Sequence, residues 1–128
     1  MNYLLDTHTF LWFASGSGNL PVKVLDIISD AEVKCYLSIA SLWEIAIKME
    51  IGKLSMSMNF DEISAFCLRN DFTILQIEIQ HLLELQKLTR FHSDPFDRLI
   101  IAKAASDNLI VMTRDKNFSK YPVQLMWN

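Results

Sequence analysis

Asn2-Tyr3-Leu4-Leu5-Asp6 and Leu109-Ile110-Val111-Met112-Thr113-Arg114-Asp115 are short apolar runs, one ending on an aspartate and the other reaching one two residues later. Apolar runs of this length and flanking read as strands buried on both faces. Working outward, Thr9 to Ala14 reads as a first helical segment, and Ser15-Gly16-Ser17-Gly18-Asn19 as a loop. Pro21 suits the first turn of a helix running to Ser29. Val33, Cys35 and Leu37 alternate with more polar neighbours, as a strand does. Ile39 to Ile51 reads as a helix ending near Gly52, and Met56 and Met58 fall in an irregular stretch. Phe60 to Arg69 is a further helix and Phe72 to Ile77 a further strand. Glu78 to Leu88 is helical, with Ile79, Leu82, Leu83 and Leu85 near one face. Pro95 opens a helix to Asp107, and Val123 to Trp127 closes the chain as a strand. Strands alternating with helices of about ten residues imply a parallel sheet covered on both faces, a three-layer α/β domain.

The 128 residues are the size of one domain, so a single unit over 1–128 is expected. With 51% hydrophobic and 21% charged residues the chain can fill a core. No apolar run reaches the roughly 18 residues of a membrane span. The amino-terminal stretch has no basic segment ahead of an apolar one, so a cytosolic protein is expected. Cys35 and Cys67 lie in apolar surroundings and read as reduced core residues, and no Cys/His spacing suits zinc. The net charge of −3 excludes bulk attraction to nucleic acid, so any such function must rest on local chemistry.

That chemistry is carried by acids. Ligands of open parallel sheets bind outside the carboxyl ends of the strands. Asp6 and Asp115 both fall there, although each could equally be a turn or cap residue. Glu44 has capping-box spacing to Ser41 and ion-pair spacing to Lys48. It also lies close to the face of Ile47 and Ile51, the edge of an apolar stripe, where an acid is costly unless paired or bound to a cation. In Asp94-Pro95-Phe96-Asp97-Arg98, Asp94 reads as the N-cap with proline at the first helical position. Asp97 shares the face of Ile101, Ala104 and Ala105 and so points toward the sheet. If Asp6, Glu44, Asp97 and Asp115 converge, like charge raises their pKa values, and a divalent ion relieves this. Magnesium and manganese take such oxygen ligands and activate water against phosphate.

Thr7 and Thr113 flank proposed site acids, where a hydroxyl orients a carboxylate or simply bonds a strand end. His8 and His92 have no placement that argues for a catalytic base. Lys48, Lys53, Arg98, Arg114 and Lys116 are phosphate contacts or solvated charges. Trp12, Phe13 and Trp43 read as core, with Trp12 close to a loop.

These residues fall in four ordered motifs that resemble the PIN-domain family, and within it the VapC-type toxins of bacterial type II toxin–antitoxin pairs. The motifs are Tyr3-Leu4-Leu5-Asp6-Thr7-His8; Ser38 to Lys48 with Ser41-Leu42-Trp43-Glu44-Ile45-Ala46; Asp94-Pro95-Phe96-Asp97-Arg98 with Ile101-Ala102; and Thr113-Arg114-Asp115. The close, Tyr121 to Trp127, is similar too. By position, the resemblance implies acidic ligands at Asp6, Glu44, Asp97 and Asp115. It also implies a central parallel sheet of about five strands and a Mg2+- or Mn2+-dependent endoribonuclease. A homodimer and a small antitoxin partner complete what it implies. Three rivals remain open on the sequence. A phosphatase with a nucleophilic Asp6 wants an aspartate two residues on, where this chain has His8. A non-catalytic partner-binding protein has no need of all four acids. A nuclease of DNA or of RNA processing shares the same residues.

Overall fold

A computed structural model describes residues 1–128. The elements run β1 (Asn2–Leu5), α1 (Thr7–Ser15), α2 (Val22–Ser29), β2 (Lys34–Ser38), α3 (Ile39–Glu50) and α4 (Phe60–Arg69). Then come β3 (Thr73–Leu75), α5 (Ile79–Lys87), α6 (Pro95–Asp107), β4 (Ile110–Met112), a short 3-10 helix (Lys116–Lys120) and β5 (Gln124–Met126). The five strands form one sheet in the order β3-β2-β1-β4-β5, parallel at every pairing. The three-layer α/β expectation is met.

Strand alternation sorts the core into two layers. Tyr3 and Leu5 of β1, Cys35 and Leu37 of β2 and Met112 of β4 join Phe10, Val24, Ile45 and Ile63 on one face. Leu4 and Val111 face the other way, onto Ile100, Ile101, Ala104 and Phe118. Leu4 and Leu5 are both fully buried, which is why β1 shows no polar alternation. Each such side chain contributes roughly 1.5–3 kcal/mol. Cys35 and Cys67 are free and buried, as the sequence implies.

Local chemistry sets the helix ends. Asp6 caps α1 by accepting from the Thr9 amide at 2.8 Å, and Gly16 closes that helix at φ 67°. Glycine takes this left-handed geometry without the Cβ penalty. Asp94 caps α6, accepting from the amides of Phe96 at 2.9 Å and Asp97 at 3.1 Å, with Pro95 at the helix start.

Four expectations need correction. Pro21 is the N-cap of α2 rather than its first helical residue. The Ile79, Leu82 and Leu83 face of α5 is exposed, and the buried residue of that helix is His81. Ile51 is exposed as well, so the buried stripe of α3 runs through Ala40, Ser41, Glu44 and Ile45 and takes Glu44 deeper than a stripe edge. Trp43 is 56% exposed and rests edge-on against Phe96 instead of filling the core. No helix is long and apolar enough to cross a membrane.

Candidate active site

The chain winds outward from β1 to β2 and β3, then returns to lay β4 and β5 on the other side. The carboxyl ends of β1 and β4 are thus the switch point, where connections diverge and leave a crevice. The Asp6 amide donates to the Met112 carbonyl at 3.1 Å and locks the two strand ends together. Asp6 and Asp115 lie on this edge, and with His8, Trp12 and Arg114 they line a cavity of about 280 Å³.

Asp6 is 4% exposed. One of its oxygens accepts from Thr9 and the other from the Thr113 hydroxyl. Thr113 in turn accepts from the Asp115 amide at 3.0 Å, so one hydroxyl ties two acids into register. Burial raises the Asp6 pKa, and these hydrogen bonds oppose that shift. Asp115 is exposed and caps the 3-10 helix, accepting from Asn117 N at 2.9 Å.

Glu44 is 3% exposed. It does not make a capping box with Ser41, because Ser38 is the N-cap of α3. Instead Thr7 of α1 donates to one oxygen at 2.7 Å, and Lys48 lies 2.6 Å from the other. Both threonines beside the site acids therefore bond carboxylates.

Asp97 sits one turn into α6, above the buried Ile101 and Ala104, its side chain 18% exposed. Its pKa is pushed up to about 8, first by burial and then by the negative charges of Asp94, Asp6, Asp115 and Glu44. Each of the other three proposed ligands contributes to that shift. No lysine or arginine pairs with Asp97.

The acids approach without closing up. No group of three or more His, Cys, Asp or Glu side chains is tight enough to chelate an ion as it stands. The oxygens of Asp6 and Glu44 are engaged by protein donors. The donor set nonetheless fits magnesium or manganese. It is hard oxygen throughout, it carries surplus negative charge, and magnesium binds through few carboxylates while keeping its waters.

Sequence reasoning passed over one residue here. His92 lies with Nε2 3.3 Å from Asp97 Oδ2. It stands two residues before the Asp94 cap, but nothing in its local pattern separates it from His8. Lys48 counters Glu44 directly, as their i,i+4 spacing implies. Arg98, a possible phosphate contact, instead turns to the carbonyls of Thr89 and Leu85 and to the Tyr121 hydroxyl. Arg114 stacks on Trp12, 4.4 Å from the ring centre, at the mouth of the site.

The all-parallel sheet, with Asp6 and Asp115 beside its switch point, defines an α/β class of domain. The PIN domain family model matches residues 3–124, and the chain belongs to that family. Solved structures share the fold at low identity. VapBC2 from Rickettsia felis, bound to a DNA fragment from its promoter, aligns with a TM-score of 0.75 at 16% identity over 100% of both chains. VapBC-1 from nontypeable Haemophilus influenzae aligns with a TM-score of 0.67 at 19% identity over 98% of this chain and 97% of that one. FitAcB from Neisseria gonorrhoeae aligns with a TM-score of 0.64 at 18% identity, covering 98% and 96%. No curated protein gives a significant match.

Proposed function

We propose that residues 1–128 are a single nuclease domain that hydrolyses RNA phosphodiester bonds using magnesium or manganese held among Asp6, Glu44, Asp97 and Asp115. We propose further that it is the toxin of a cytosolic toxin–antitoxin pair and that it self-associates. The observation that carries the nuclease reading is Asp97. It is a largely buried carboxylate whose four strongest charged neighbours are all acids, with no lysine or arginine to offset them. Such an arrangement costs stability, and a site for a cation gives it a reason. The toxin reading is supported by the structural neighbours, which include toxin–antitoxin complexes. The exposed Ile79, Leu82 and Leu83 offer an apolar face for a partner or a second copy.

When bound, the ion supplies Lewis acidity toward the phosphate and lowers the pKa of water. The protein's own residues do the positioning. Thr9 and Thr113 fix Asp6, Thr7 fixes Glu44, and Asp94 holds the turn that presents Asp97. Lys48 and Arg114 place positive charge at the rim of an otherwise acidic crevice, where a phosphate can approach.

The test is cleavage of RNA and of single-stranded DNA by the purified protein, with magnesium, manganese or EDTA. RNA cleavage that EDTA abolishes supports the reading. Cleavage of DNA alone moves the substrate, and no cleavage by any metal-loaded sample favours a partner-binding protein. Calorimetric divalent affinity unchanged in an Asp6→Asn, Asp97→Asn double variant would remove the site. A monomer in light scattering at high micromolar concentration would remove the self-association.

A further inference from the structure

His92 and Tyr121 belong to neither the acid cluster nor the resemblance-derived ligand set, yet they are built into the site. Tyr121 is 4% exposed, and the His92 side chain is 13% exposed. The Tyr121 hydroxyl lies within reach of three groups. It accepts from the His92 amide at 3.3 Å and from Arg98 Nη1 at 3.2 Å. Its third contact is His92 Nδ1, at 2.7 Å.

Proton counting decides the direction of that last bond. The amide and the guanidinium can only donate, so they take the two acceptor positions of the phenol oxygen. The phenol's single proton is then left for Nδ1, which must be the unprotonated nitrogen of a neutral imidazole. The remaining proton is on Nε2, and Nε2 is the atom 3.3 Å from Asp97 Oδ2. Ring packing holds the imidazole in this pose, with Tyr121 5.4 Å and Phe118 6.5 Å away between centroids.

We infer that Tyr121 and His92 form a positioning relay for Asp97: the phenol fixes the Nε2–H tautomer of His92, and that N–H orients the carboxylate toward the other acids. The inference rests on the metal-site reading of Asp97. The relay does two things that a lysine in its place would not. It holds one oxygen of Asp97 while leaving the other free for a cation. It also adds no full positive charge to compete with that cation. Arg98 supplies its charge one step back, on the phenol, where the Leu85 and Thr89 carbonyls share it. Hydrogen-bonding partners behind a ligand typically govern affinity at the 10- to 100-fold level.

The experiment has two arms. Nitrogen-15 NMR of the wild-type imidazoles, without metal or RNA and at a pH where His92 is neutral, reads the tautomer. A single Nε2–H form for His92 is expected, giving way to a mixture in Tyr121→Phe. Calorimetric titration with Mn2+ alone reads the positioning. About 10-fold weaker binding is expected in His92→Ala. His92→Gln, whose amide can still donate to Asp97, should recover most of that loss, and melting curves serve as the folding control. A wild-type His92 that is Nδ1–H or mixed overturns the relay, even if His92→Ala fails to fold. So does a folded His92→Ala that binds Mn2+ as the wild type does. Neither arm uses RNA, so a protein that passes both and cleaves nothing refutes the nuclease reading while the relay stands.

Discussion

At both ends of α6 an aspartate meets a histidine, and the two meetings differ in one charge. At the carboxyl end, Asp107 pairs with Lys103 at 2.6 Å, and His81 Nε2 stands 3.6 Å away. His81 Nδ1 accepts from the Glu78 amide at 2.9 Å, and its Nε2 lies nearer to Lys103 Nζ, at 3.1 Å, than to that carboxylate. His81 and Lys103 are both buried, and the Lys103 ammonium bridges the imidazole and the acid. At the amino end, Asp97 has a neutral histidine donor and acids on its other sides. The carboxyl end is internally neutralised and fastens α5 to α6. The amino end is left short of positive charge. This deficit is what motivates the cation site proposed at this end.

The largest effect expected from breaking this contrast is on catalysis. Asp97→Asn keeps the shape and removes one ligand charge. Metal-dependent RNA cleavage should fall about 100-fold or more, the scale of losing a well-placed electrostatic group. Melting without metal should be unchanged or higher, because like charge is relieved. Wild-type cleavage rates in this variant would remove Asp97 from the site.

Lys103→Met should do the reverse. It strands Asp107 beside His81 and should cost about 1–2 kcal/mol in denaturant unfolding, discounted because the Asp107 side chain is 32% exposed. Cleavage per folded molecule should not change. A loss of activity without a loss of stability would mean that the two ends of α6 are coupled.

The pH dependence separates the ends further. Asp97 has a folded pKa of about 8 against an ordinary 3.8, so the folded state holds a proton that the unfolded state releases. Its contribution is complete below about pH 4 and is lost as pH rises through about 8. The metal-free protein should therefore melt at a lower temperature at pH 8.5 than at pH 5. Saturating Mn2+ should flatten that fall, and so should Asp97→Asn. An equally steep fall in Asp97→Asn would assign it to other groups, Asp6 first, since burial raises its pKa in the same direction.

The smallest effect is expected next door. Asp94→Asn retains an oxygen that can accept from the first-turn amides, and should cost no more than about 0.5 kcal/mol and leave cleavage within a few-fold. Loss of cleavage in Asp94→Asn with normal cleavage in Asp97→Asn would reverse the orientation of this turn.

The sheet was legible because its strands are buried on both faces, so Tyr3 to Leu5 and Leu109 to Met112 show as unbroken apolar runs. The proposed acids stand at the end of β1 (Asp6), three residues past β4 (Asp115), in the first turn of α6 (Asp97) and in the second turn of α3 (Glu44). Side-chain direction was less legible. Ile47 and Ile51 suggested a buried stripe, but α3 rolls so that Ser41, Glu44 and Ile45 face inward. The apolar side of α5 was assigned correctly as a face but ends in solvent, with His81 turned inward toward Lys103.

The sequence by itself determined the alternation of strands and helices and the cap at Asp94. Both follow from periodicity and from bonds between residues a few positions apart. Only the tertiary structure decided which charges lack a partner. Asp97 is 91 residues from Asp6 in sequence and 53 from Glu44, yet it titrates against both. Thr113 bonds Asp6 across 107 positions, and Tyr121 bonds His92 across 29. Coulomb interactions and hydrogen bonds depend on distance in space, and no local pattern in the chain encodes that distance.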